Sequence, residues 1–498
     1  YLIAHAILTW GCPMADRPNF VVIISDQHNL HNLGCAGDPL VRTPNLDELA
    51  AEGTLFESTY CGSPLCVPSR MTFLTGRHCS DIGVYGNGCM LRSDIPTFAH
   101  ALGIAGYETV LGGRMHFVGP DQRHGFQRRI IGDVLSPFPG GPGPNLGGIP
   151  TGSTGQSRVA VEIAGPGRTA YQAYDMDVTD ACCRYLEERD RSEQERPFCL
   201  VVGYVLPHCP FIAPKKLYDE YYDQVDIPQV PDGYVESLHP AMQLWREKRG
   251  VNDLSEEEVR KARAAYFGLV TFMDRQIGRL LSTLDSSSFD EDTVIVYVSD
   301  HGEMAGEHGM WWKSSFYEGS AGVPMIWSWP GEFAEGHRVS QVTSLLDVSA
   351  TLIDLAGGEA LPHSDGRSLT RFLEGEEARG WPDEAISENY SGGEPHGRMV
   401  RRGDWKLNHY HGHDTPQLFN LAKDPEEFDD LGADPAHADI RAQLTARALQ
   451  GWRREDAERR LAARAATREV MQKWAKAVPY DLSDFWQAPE GCNVFPEE

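Results

Sequence analysis

Pro18-Asn19-Phe20-Val21-Val22-Ile23-Ile24-Ser25-Asp26-Gln27 decides the fold of this chain. Phe20 to Ile24 is an apolar run without polar alternation, so both faces of the strand it forms must be covered. That is the pattern of a parallel strand buried between helices. The run stops at Ser25-Asp26-Gln27, which collects polar groups at its C-terminal end. Thr43-Pro44-Asn45 then introduces a short helix expected over 46–53, with Pro near its start and Gly53 at its close.

The same alternation continues outward. A helix expected over 97–105 leads to a strand at 109–111, and a helix over 170–189 to a strongly apolar strand at 198–205. The clearest helix is expected over 255–284. Ser255 and Glu258 form a capping box there, and Tyr266, Val270, Met273, Ile277 and Leu280 recur at three- and four-residue steps. It feeds a strand at 293–298 that, like the first, runs into Ser299-Asp300-His301. The pattern predicts an α/β fold: a large mixed, mostly parallel sheet flanked by helices, with ligands at the C-terminal ends of its strands. The Gly- and Pro-rich run 136–155 predicts a surface loop near the pocket mouth.

A smaller α+β part is expected after Ser368. Short antiparallel strands are expected at 384–389, 398–409 and 417–420, followed by an Arg-rich helical tail over 440–475. Two domains, 15–368 and 369–498, follow from this change of pattern. No internal repeat is present.

The 498 residues, 41% hydrophobic and 23% charged, are enough for one large core with a smaller companion. The net charge of -27 argues against nucleic acid and other anionic polymers as partners. A small anion can still bind where Arg, Lys and His collect locally, because salt screens the distant acidic surface. The eleven cysteines show no repeated short spacing, so reduced thiols and a cytoplasmic location are expected rather than a disulfide scaffold or a zinc site. Residues 1–13 are apolar but have no basic leading segment and are too short to span a bilayer, so no membrane attachment is expected. Met14 is the expected native start.

Chemistry concentrates at Cys66-Val67-Pro68-Ser69-Arg70. A helix is expected over 69–75, with Pro68 in its first turn and Gly76 after its end, so Cys66 stands at a helix N-terminus, where amide donors favour an anion. By position alone, a structural cysteine is the commoner case. Asp26 and Asp300 taken singly could start turns, His301 could be a satisfied loop histidine, and Lys313 could be a solvated charge.

Cys66-x-Pro68-Ser69-Arg70 followed by Thr75-Gly76-Arg77 resembles the signature of type I sulfatases of the alkaline phosphatase superfamily. The resemblance runs from about Arg17 to Leu431 and takes in Asp26-Gln27, Gly112-Gly113-Arg114-Met115-His116 and Asp300-His301. It implies an alkaline phosphatase-like fold and an enzyme that hydrolyses sulfate monoesters of a small organic alcohol or phenol. Cys66 would be oxidised to formylglycine by a formylglycine-generating or sulfatase-maturating enzyme. One hydroxyl of the hydrated aldehyde attacks sulfur, and deprotonation of the other expels sulfate and restores the aldehyde, an exit that an unmodified thiol lacks.

The resemblance also assigns roles. Asp26, Gln27, Asp300, His301 and the modified Cys66 hold one divalent cation, calcium by resemblance, with manganese as the alternative because one ligand is nitrogen. Lys313 binds the sulfate, His208 protonates or contacts the leaving alcohol, His116 helps deprotonate the hemiacetal, and Asn87 contacts the sulfate. Arg70 orients the formylglycine and the metal-site carboxylates. Arg114 stands where the family usually has lysine, and its wider, more rigid guanidinium departs from that pattern.

Asp26-Gln27 and Asp300-His301 resemble the choline sulfatase and phosphonate monoester hydrolase branch more than common arylsulfatases. A phosphonate monoester or phosphodiester hydrolase with the same site is the alternative activity. Residues 115–126 are close to choline sulfatases, but the loop from Ile130 offers no aromatic cage for a quaternary ammonium. Trp311, Phe316 and Tyr317 fit packing anchors better than substrate stackers. A homo-oligomer is expected, with the Arg-rich tail as one candidate surface.

Overall fold

The computed structural model describes residues 17–134, 146–192, 196–390, 396–478 and 485–496. The apolar opening 1–13, Met14 and residues 136–145 of the expected loop lie outside the described residues; 146–155 form turns.

Eight strands build the main sheet: β1 Asn19–Asp26, β2 Thr54–Phe56, β3 Glu108–Gly113, β4 Arg128–Ile131, β5 Phe198–Pro207, β6 Thr293–Ser299, β7 Met325–Ser328 and β8 His337–Val339. Their order is β8-β2-β7-β6-β1-β5-β3-β4. β1 lies parallel to both β5 and β6, β5 parallel to β3, and β3 parallel to β4, whereas β7 is antiparallel to β6 and β2. The sheet is therefore mixed and mostly parallel, as the apolar runs predict. Val21 and Ile23 join the core on one face, and Phe20, Val22 and Ile24 the core on the other, so β1 is covered on both sides.

Register places the chemistry. Ser25 pairs with Ser299 across the parallel β1–β6 ladder, so the next residues, Asp26 and Asp300, leave the sheet side by side at one edge.

Among the helices that matter here are α1 Pro44–Ala51, α2 Cys66–Thr75, α3 Phe98–Ile104, α4 Ala170–Asp190, α5 Glu256–Asp285, α6 Leu345–Leu355, α7 Ala438–Leu449 and α8 Arg454–Ala477. The Ser255–Glu258 capping box opens α5, and Tyr266, Val270, Met273, Ile277 and Leu280 are all fully buried. Helix α2 starts at Cys66 rather than Ser69, so the cysteine forms part of the first turn. A proline in that turn has no amide hydrogen to lose, so it does not delay the start. Gly76 ends α2 at φ 64°, a left-handed conformation suited to glycine.

The smaller sheet is β9 Glu384–Asn389, β10 Gly397–Arg402, β11 Trp405–Tyr410 and β12 Gln417–Asn420, antiparallel in that order. The single strand expected at 398–409 is in fact a hairpin: Arg402 pairs with Trp405, and Gly403 turns the chain at φ 50°. The tail expected as one helix is two, α7 and α8, parted where Gly451 takes φ 69°. Ile386, Val400, Leu407 and Leu418 pack with Leu444 and Ala448 of α7 in a separate small core.

The smaller sheet is tied to the rest by charge. Lys406 on β11 is fully buried, and its Nζ lies 2.6 Å from Glu318 Oε1 and 2.8 Å from Glu427 Oε1. The end of the chain returns to the large sheet's helices, where Trp486 meets the ring of Tyr174 at 5.3 Å. Among the described residues, no helix is long and apolar enough to cross a membrane.

Candidate active site

β1, β6 and α2 converge on Cys66, whose side chain is buried with 1% exposure for the residue. Its Sγ lies 3.2 Å from His301 Nε2, 3.3 Å from Lys313 Nζ and 3.8 Å from Asp26 Oδ1. Asp26, Cys66, Asp300 and His301 each bring one donor atom to within 4.8 Å of the others.

Arg70, on the first turns of α2, locks the two carboxylates. Its Nε donates to Asp300 Oδ2 at 2.8 Å, its Nη2 to Asp26 Oδ2 at 3.2 Å and to Ser25 O at 3.3 Å, and its Nη1 to Arg114 O at 3.0 Å. Arg114 Nε adds a 2.6 Å bond to Asp26 Oδ2. Burial opposes ionisation of Asp26, but the charges of Arg114, Arg70 and Lys313 together hold its carboxyl well below the usual range.

Hydrogen bonds fix the imidazoles. His301 Nδ1 donates to Gly302 O at 3.0 Å, which leaves the Nε2 lone pair facing Cys66. His208 Nδ1 donates to Cys209 O at 2.7 Å, and its Nε2 accepts from Lys313 Nζ at 2.8 Å. His116 Nδ1 accepts from Arg114 Nη2 at 3.1 Å. Burial lowers all three histidines from the ordinary imidazole value. The charge of Arg114 adds to this for His116 and that of Lys313 for His208, so both are kept neutral.

Gln27, His116 and Trp312 all take positive φ, at 73°, 59° and 61°. Strained backbone of this kind persists only where surrounding contacts over-determine it. For Gln27 those contacts are clear: Oε1 accepts from Lys313 Nζ at 2.5 Å, and Nε2 donates to Glu303 Oε2 at 2.5 Å.

Glu303 is one of two residues the sequence reading did not single out. It is fully buried, accepts the amide of Ala305, and is pushed by burial to about 7. The other is Asp133, which accepts the amides of Met115 and His116 at 3.2 and 2.8 Å and so fixes the segment carrying Arg114. Arg114 Nη1 is buried without a hydrogen-bond partner, 3.7 Å from Asp133 Oδ1. No spacing rule marks either acid; only the proximity of Glu303 to His301 in sequence hinted at it.

Asn87 stands apart from the buried group. It is exposed, and its Oδ1 accepts from the Val67 amide at 3.1 Å, at the start of α2.

The donors suit a divalent cation. Two carboxylates, an amide oxygen and one imidazole nitrogen form a hard, mainly oxygen set. The Cys66 sulfur lies among the same donors, within 4.8 Å of those of Asp26, Asp300 and His301. Lys313, Arg70 and Arg114 add positive charge on the same spot, as an anionic substrate requires.

The sulfatase family model matches residues 18–358, and the C-terminal model of N-sulphoglucosamine sulphohydrolase matches 306–454. A choline-sulfatase of Rhizobium meliloti is 36% identical over 86% of this chain and 85% of its own length. An arylsulfatase of Clostridium perfringens is 30% identical over 83% and 90%. The crystal structure of a phosphonate monoester hydrolase of Agrobacterium radiobacter superposes with a TM-score of 0.73 and 26% identity, over 87% of this chain and 95% of that one. The chain belongs to the sulfatase family. It is a sulfuric ester hydrolase of the alkaline phosphatase-like fold. Members of this family work with a divalent metal and a formylglycine, and the buried Asp-Cys-Asp-His group fits such a metal site.

Proposed function

We propose that Cys66 is the residue converted to formylglycine, by a maturation enzyme outside this chain, and that the protein hydrolyses sulfate monoesters of a small alcohol or phenol. The observation that carries this reading is the placing of Cys66 Sγ between His301 Nε2 at 3.2 Å and Lys313 Nζ at 3.3 Å. Asp26, Gln27, Asp300 and His301 would hold the cation, calcium by preference because oxygen dominates the set, with manganese as the alternative. When bound, it supplies neutralisation of the sulfate oxygens and acidifies the nucleophilic hydroxyl.

The remaining steps belong to side chains. Arg70 fixes the carboxylates and, through α2, the nucleophile. Lys313 and Arg114 take the sulfate charge; the Nη1 of Arg114 is a buried donor without a hydrogen-bond partner, its nearest carboxylate being Asp133 Oδ1 at 3.7 Å. His208 Nε2 exchanges a proton with the leaving alcohol, drawing on Lys313 at 2.8 Å. His116 is kept neutral by burial and by Arg114, whose Nη2 donates to its Nδ1 at 3.1 Å, and it takes the proton whose removal expels sulfate once the bound sulfate draws that guanidinium away. Asn87 contacts the substrate from the start of α2.

Several coarser assignments go with this reading. The catalytic domain is 15–368 and the smaller domain 369–498. The protein is cytoplasmic. It self-associates, which is supported by α8, where Val470 and Trp474 are 65% and 38% exposed one helical turn apart.

The similarity to the phosphonate monoester hydrolase supports a second reading, cleavage of phosphonate monoesters or phosphodiesters at the same site. Matched aryl sulfate and aryl phosphonate esters separate the two by kcat/KM, and a strong preference for the phosphonate would overturn the first reading. Mass spectrometry of the Cys66 peptide is expected to show a species about 18 Da lighter than the thiol, as sulfur gives way to oxygen with loss of two hydrogens. Cys66→Ala is expected to lower kcat/KM by on the order of 1,000-fold or more.

A further inference from the structure

A cavity of about 1000 Å³ adjoins the start of α2. Leu65, the residue before Cys66, lines it, as does Asn87, which bonds the Val67 amide. Val118 and Pro120, just beyond His116, form another part of the lining. The cavity therefore adjoins two of the segments that flank the buried group, the one before Cys66 and the one after His116.

Another wall is α8. Arg464 and Arg468 lie on this wall, four residues apart and hence on one face of the helix. Arg464 donates to Gly83 O, but among the described residues no carboxylate pairs with either guanidinium. The acids lining the same cavity are already engaged: Glu469 pairs with Lys473 at 2.6 Å, and Asp121 accepts the amides of Arg123 and His124 and lies 3.4 Å from His124 Nδ1. In a chain of net charge -27, two uncompensated guanidiniums on one cavity wall run against the overall charge. The rings of Tyr85 and Tyr390, 4.8 Å apart, supply an apolar surface beside them.

We propose that this cavity holds the alcohol part of the ester, and that this alcohol carries a second anionic group, a carboxylate or a further sulfate, which Arg464 and Arg468 bind. The proposal rests on the reading of Cys66 as the nucleophilic centre. It assigns to this chain a preference opposite in sign to that for a quaternary ammonium alcohol, which the two guanidiniums would repel.

The test uses the full-length, modified enzyme and three phenyl sulfates with the same leaving-group chemistry, bearing at the meta position a carboxymethyl group, its methyl ester, or a trimethylammoniomethyl group. The carboxylate is expected to exceed the methyl ester in kcat/KM by about tenfold, the size of one good ionic contact, mainly through KM, and the cation is expected to be poorest. Arg468→Gln, whose side chain has no hydrogen-bond or ion-pair partner among the described residues, is expected to lower the carboxylate-to-ester ratio, and Arg464→Gln with Arg468→Gln to bring it to about 1. Equal kcat/KM for all three, or a double variant that keeps the ratio, would overturn the proposal. Turnover of none of them would instead sink the reading of the site as a sulfate monoesterase. In that case calorimetry decides on the cavity alone: 3-hydroxyphenylacetate binding more tightly than its methyl ester, with the difference lost in the double variant, supports it, and equal binding refutes it.

Discussion

Arg70 binds four acceptors on three segments, Asp26 and Ser25 from β1, Asp300 just after β6 and the Arg114 carbonyl just after β3. An ammonium keeps the charge but cannot reproduce that fork, so Arg70→Lys is expected to lose at least about 100-fold in kcat while the protein still folds; single-turnover kinetics with circular dichroism measure both. His308 is not one of the groups in contact with Cys66; its ring stacks on that of Tyr317 at 4.0 Å. Burial, with the charge of Lys406 adding to it, holds His308 from 6.5 down to about 3. The unfolded chain takes up this proton below about pH 6.5 and the folded one resists it, so this contribution to stability is present above that pH and is lost as pH falls towards 3. His308→Asn tolerates the φ of 54° and keeps an acceptor for Tyr234. In urea titrations between pH 6 and 4, the advantage of the wild type over this variant is expected to shrink by about 1.4 kcal/mol per pH unit. That Asp26 and Asp300 meet at one sheet edge was legible in the sequence, because each ends an apolar run; Cys66 was legible only through the resemblance of Cys66-x-Pro68-Ser69-Arg70, since its position alone does not tell a functional cysteine from a structural one. Glu303 and Asp133 were not, since a buried acid that orients another side chain leaves no periodic trace.

The elements divide in the same way. β1, β5 and β6 are continuous apolar runs, and their strand character is readable because only two-sided burial favours such runs. β2 and β8 are three residues each, too short for any pattern, and the edge on which they pair is set by tertiary contacts alone. Gly403 could have marked the hairpin between β10 and β11, but the β-type residues on both sides of it read as one strand. Close packing gives a sharp prediction between β5 and β3. A Cβ added at Gly203 would stand 1.8 Å from the Arg114 carbonyl oxygen, a backbone atom that cannot turn aside. Gly203→Ala is expected to destabilise the protein by about 1–3 kcal/mol and to cost more in kcat than in KM, since the displaced segment carries Arg114 and His116; denaturant titration and steady-state kinetics check it.

At the scale of the whole molecule, the two sheets are held together partly through Lys406, fully buried between Glu318 and Glu427. Lys406→Met leaves two buried acids without their cation, a loss expected to cost about 3–5 kcal/mol; a calorimetric scan should show a clearly lowered melting temperature, and an unchanged one would contradict this role of the ion cluster. The same enclosure bears on Cys66. The groups that shut it in come from Asp26, His301 and Lys313, and the last of these is made long after the cysteine itself. With 1% of its surface open, the side chain offers an oxidising enzyme no approach once those groups are in place. On the formylglycine reading, the conversion therefore belongs to the interval between synthesis of the Cys66 segment and closure of the sheet around it. Each finished molecule then carries a permanent record of whether that encounter happened, and two chains of the same sequence and fold can differ for life in whether they react.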